Sequence, residues 1–85
     1  MIVEWNDAAE YQRIAFKLVE SELNKILEEN ISSGVTSVVK RARGRRVAYG
    51  TVSDGRRVDI EYVELSKSAI RVQAIAVDVE DDSDD

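Results

Sequence analysis

Between Asp7 and Glu29 the apolar residues recur at helical spacing. At about 100° per residue, Ala8, Ala15, Val19 and Ile26 fall on one line. Phe16, Leu18, Leu23 and Leu27 flank that line, and Tyr11 lies near its edge. Glu10, Arg13, Lys17, Glu20, Asn24 and Glu28 fill the opposite side. An apolar face of about half the circumference is the width that packs on a sheet, so the pattern predicts one long helix. Asp7-Ala8-Ala9-Glu10 has the spacing of a capping box, with Asp7 as the cap. Ser32-Ser33-Gly34 supplies the loop chemistry that ends the helix.

Beyond Gly34 the period changes to alternation. Asp54-Gly55 carries a two-residue hairpin signal, because both turn residues must reach positive φ. That turn pairs Ser53 with Arg56, Thr51 with Val58, Tyr49 with Ile60 and Val47 with Tyr62, all on one face. A three-residue loop at Ser66-Lys67-Ser68 then sets Val72 opposite Tyr62, Ala74 opposite Ile60 and Ala76 opposite Val58. Upstream, residues 35–43 read as a first strand turning at Gly44, in one of two registers. One faces Val38 and Ala42 inward, the other Val35 and Val39. Gly50 falls on the outer side in mid-strand, where glycine marks a bulge or a close approach.

The fold class expected is α+β, in two layers. One long N-terminal helix packs on a four-stranded antiparallel meander sheet, five-stranded if Ile2–Trp5 adds an edge strand. Residues 1–77 make a single domain. Residues 78–85 read as a disordered acidic tail.

Residues 69–77 do not alternate cleanly. On a regular strand Ile70, Val72, Ala74 and Ala76 face the helix, while Ile75 and Val77 face away, beside Val52 and Val63 of neighbouring strands. A last strand that is apolar on both faces and open at its edge invites a second subunit. The expected homodimer interface is therefore Val63, Ile75 and Val77.

Charge adds a second surface. Lys40-Arg41-Ala42-Arg43-Gly44-Arg45-Arg46 holds five of the twelve positive charges. The net charge of −5 comes from the tail, which holds six of the 17 acidic residues; residues 1–77 are nearly neutral. Arg43, Arg45 and Arg46 at one turn, with Lys67 in the turn at the same end of the sheet, form a candidate contact for a polyanion or an acidic partner. Arg56 and Arg57 flank the opposite turn.

The composition bears on chemistry. The chain has no cysteine and no histidine. Disulfides are excluded, and the usual general base and strongest nucleophile are missing. No glycine-rich phosphate loop occurs, and Asp59 and Glu61 read as a solvated strand face. No catalytic, cofactor or metal residues are assigned. No apolar run approaches the roughly 20 residues needed to span a bilayer. Met1–Trp5 has no basic lead, so an intracellular, soluble, cytoplasmic protein is expected. The function these readings favour is a small non-enzymatic interaction or accessory module, self-associating through its last strand. The alternative is a weak nucleic-acid binder acting through its arginine turns.

Overall fold

A computed structural model describes residues 1–34, 37–38 and 44–78. The chain runs β1 (Ile2–Trp5), α1 (Asp7–Ala15), α2 (Glu20–Ser33), β2 (Ser37–Val38), β3 (Arg45–Thr51), β4 (Arg57–Ser66) and β5 (Ala69–Asp78). The class is α+β, but the sheet is mixed and the described residues form two helices. Strand order is β1-β5-β4-β3-β2. β1 lies parallel to β5, and the remaining pairs are antiparallel. The open meander edge expected at the last strand is thus covered by the first over Ala69–Val72. No helix among the described residues is long and apolar enough to cross a membrane.

The single helix expected over residues 7–29 is broken after Ala15. Lys17 sits at φ 57°, and α2 restarts from Val19. The break has the hydrogen bonds of a Schellman motif: Leu18 N–H donates to the Arg13 carbonyl and Lys17 N–H to that of Ile14. That motif normally places glycine where Lys17 stands. The N-cap of α1 is Asn6, one residue before the expected Asp7; its Oδ1 accepts the Ala9 N–H at 2.8 Å.

The β3–β4 hairpin is also one residue out of the expected register. The Asp54-Gly55 turn lies inside a longer loop closed by Val52 N–H on the Arg56 carbonyl. Ala48 therefore pairs with Ile60, and Gly50 with Val58. Because strand side chains alternate, the slip turns Val47, Tyr49 and Thr51 away from the helices. Tyr49 is 49% exposed, whereas Ala48 is fully buried.

Small residues on β3 suit the helix above it. A Cβ on Gly50 would lie 2.7 Å from Ile26 Cγ1 and Cγ2. The close approach expected at Gly50 is real, but it comes from α2 on the inner face, not from another chain on the outer one. The core is Leu18, Leu23, Ile26 and Leu27 from the helical half, Val58, Ile60 and Tyr62 from β4, and Ile70, Val72 and Ile75 from β5, with Ala9, Ala48 and Val52. Val3, Trp5, Ile31 and Val77 pack against it.

Candidate functional site

β5 carries the decisive irregularity. Val72 pairs with Tyr62, as expected, but Ala74 pairs with Glu61 and Ile75 with Ile60. Gln73 is the extra residue of a β-bulge. The bulge shifts the phase of the strand, so Ile75 turns inward and Val77 follows. Ile75 is 2% exposed, inside the core. The outward placement expected for Ile75 and Val77 is therefore corrected. Val63 alone of the three keeps the outer face, half-buried opposite Arg71.

At and just beyond the bulge, Asn6 and α1 take up part of the β5 edge that β1 does not reach. Asn6 N–H donates to the Val72 carbonyl, and Asn6 Nδ2 to Gln73 Oε1 at 3.1 Å. Ile75 N–H donates to Gln12 Oε1 at 2.7 Å. On the other side of the sheet α2 does the same for β3. Asn30 accepts the Tyr49 N–H and donates to the Tyr49 carbonyl, so one side-chain amide imitates a neighbouring strand. Glu22 accepts both the N–H and the hydroxyl of Ser53. Those two donors hold the Glu22 carboxyl below its ordinary pKa.

The arginine end is less available than the sequence suggests. Arg45 and Arg46 lie within β3 and not in a turn. They point to opposite faces of the sheet, Arg45 to Glu61 at 2.6 Å and Arg46 to Glu64 at 3.7 Å. Lys67 is at the same end, in the β4–β5 turn. Arg43 and the 78–85 tail, apart from the backbone of Asp78, lie outside the described residues. At the other end Arg56 binds Asp54 at 2.7 Å and lowers its pKa. The same guanidinium donates to the Phe16 carbonyl at 2.6 Å and reaches that of Lys17 at 3.5 Å, fastening the hairpin to the helix break.

That break creates the feature sequence reasoning missed. α1 turns Ala9 to the core and leaves Tyr11 75% and Ile14 61% exposed. Phe16 and Val19 in the break are exposed as well. With Ala8 and Ala15, also exposed, these residues make an apolar strip along α1 and the break. The apolar periodicity was visible in the sequence; its partition between core and solvent depended on φ at Lys17.

Among the described residues no group of three or more acidic, histidine or cysteine side chains could hold a metal ion. Shallow depressions occur on the outer sheet face, one of them lined by Val47, Tyr49, Asp59, Glu61, Ala74 and Ala76. Compared with protein-family models, curated proteins and solved structures, the chain matches none.

Proposed function

We propose that this chain is a small non-enzymatic interaction module that self-associates through the apolar strip of α1. The observation that carries this reading is the exposure of Tyr11, Ile14, Phe16 and Val19 along one short segment. Single exposed apolar side chains are ordinary on protein surfaces, but a contiguous set is characteristic of contact surfaces. Burying one large apolar side chain is worth about 1.5–3 kcal/mol, so pairing two such strips is a substantial driving force. A chain of 85 residues without disulfides also has a thin core, which a partner enlarges. The weak nucleic-acid reading has less support, since Arg45 and Arg46 each face a carboxylate.

Light scattering across the micromolar range tests the proposal. The wild-type chain is expected to associate. Tyr11→Glu with Ile14→Glu, both on exposed positions, should give a monomer with an unchanged circular dichroism spectrum. A wild-type chain that stays monomeric at high micromolar concentration would remove the basis for the proposal.

A further inference from the structure

We infer that the partner is a second copy of this chain, and that the two copies exchange the arm made of β1 and α1 by straightening the break at Phe16–Val19 into one continuous helix. This rests on the self-association proposed above and specifies its geometry.

Four observations point the same way. First, nothing in the sequence requires the break. Residues 7–33 contain no glycine and no proline. The residue forced into the left-handed region is Lys17, at φ 57°, a conformation disfavoured for any residue with a Cβ. α2 starts at Val19 with no side-chain cap.

Second, the two helices are in phase. In one uninterrupted helix of about 3.6 residues per turn, Ala9, Phe16, Leu23 and Leu27 fall within about 40° of one another. Ala9 is the buried residue of α1, and Leu23 and Leu27 are buried in α2. A straight helix can therefore lay its second half on its own sheet and its first half on the sheet of a second copy. Spanning Asp7–Ser33, it would be about 40 Å long, against about 21 Å for α2 alone.

Third, the straight helix gives the α1 part of the exposed strip, Tyr11, Ile14 and Ala15, an occupant, while Phe16 turns to the side of Leu23 and Leu27. Tyr11, Ile14, Ala15 and Leu18 would share an arc of about 100°, roughly opposite the arc that holds Arg13, Phe16 and Leu27. Two such helices crossing at a two-fold axis would bury that arc against itself. Leu18, buried in the broken form, would exchange one core for the other.

Fourth, the arm is detachable as a unit. Among the described residues its hydrogen bonds to the sheet go to β5 and the turn before it: the parallel ladder from Ile2↔Ala69 to Trp5↔Val72, Ile2 N–H on the Ser68 carbonyl, Asn6 on Gln73 and Gln12 on Ile75. Each can be remade on the β5 of a second copy without changing residue partners. The Schellman bonds, the Arg13 contact to the Leu18 carbonyl and the Arg56 contacts to the Phe16 and Lys17 carbonyls belong to the broken form.

The test uses the absence of native cysteine. Glu4 and Arg71 are register partners on β1 and β5 with exposed side chains 3.3 Å apart. The chain carrying Glu4→Cys and Arg71→Cys is refolded at high concentration, and its thiols are joined with a short bifunctional thiol reagent. Exchange predicts a covalent dimer under denaturing conditions. A chain closed on itself within a dimer by light scattering would overturn the exchange and leave self-association standing. A closed chain that is also monomeric would overturn both. Lys17→Gly supplies the second arm, because it relieves the left-handed backbone and weakens a continuous helix. It should shift the equilibrium toward monomer by about fivefold per chain, hence about 25-fold in the dimer dissociation constant. An unchanged or tighter dimer would show that the break is not the hinge.

Discussion

At the scale of single residues, two positions decide where the apolar pattern goes. Gly50 is small because α2 lies directly on it: three Ile26 side-chain atoms crowd within 2.9 Å of a would-be Cβ. Gly50→Ala should therefore destabilise the fold by about 1–3 kcal/mol, through overpacking that outweighs the better strand propensity of alanine. Urea unfolding measures this, and the cost should shrink sharply in an Ile26→Ala background, where the crowding atoms are gone. Equal costs in both backgrounds would mean the contact is not what restricts position 50. Gly50 also shows where sequence reading stopped. The alternation Val47, Tyr49, Thr51 and the Asp54-Gly55 turn agreed with each other, and both gave the wrong face. A five-residue loop instead of two moves every β3 side chain across the sheet. The clue was the run Ala48 and Gly50, two small residues that only a nearby helix explains. Lys17 is the second such position. Helical periodicity does not report φ, so a helix broken at a lysine reads as unbroken.

At the scale of elements, sheet edges are closed by side chains from the helices. β4 was legible: its Val58, Ile60 and Tyr62 all face the core as alternation predicts. β5 was legible up to Val72 and lost at the bulge, because its broken alternation fits an extra residue at Gln73 and a strand covered on both faces equally well. The amide of Asn30 on Tyr49 and the carboxylate of Glu22 on Ser53 were not legible either, since each pairs residues far apart in the chain. Glu22 makes a pH prediction. Its folded pKa is depressed by the Ser53 N–H and hydroxyl. A depressed carboxyl stabilises the fold above its unfolded pKa, near 4.3, and that contribution disappears as pH falls through the folded value. Glu22→Gln should therefore lower the melting temperature at pH 7, and the gap to wild type should close as pH falls below the carboxylate range. A gap that stayed constant down to pH 3 would exclude Glu22 as the titrating group. The ion pairs Glu10–Arg13 and Asp54–Arg56 depress carboxyl pKa values in the same direction. They leave a residual acid dependence in the variant.

At the scale of the molecule, the apolar surplus is on the helical side and not on the last strand. A strand with apolar residues at successive positions has two explanations: both faces are covered, or the strand changes phase. β5 does the second, and β1 covers its edge over Ala69–Val72, so Ile75 is not there to recruit a subunit. The two explanations predict opposite results for one substitution. If Ile75 lay on the outer face, Ile75→Lys would leave a folded chain with altered association. With Ile75 at 2% exposure among Ile60 and the helices, the ammonium has no partner and the core loses its packing. A buried unpaired charge costs several kcal/mol, a large share of the roughly 4–13 kcal/mol available to a domain of this size. Ile75→Lys should therefore abolish the cooperative melt seen by circular dichroism, whatever the protein concentration. Val63→Lys, on the half-exposed outer face beside Arg71, should keep it within a few degrees of wild type. If instead Ile75→Lys folded with a near wild-type melting temperature, the bulge at Gln73 would be the wrong account of β5. Association would then return to the outer face of the sheet, and the α1 strip would need another explanation.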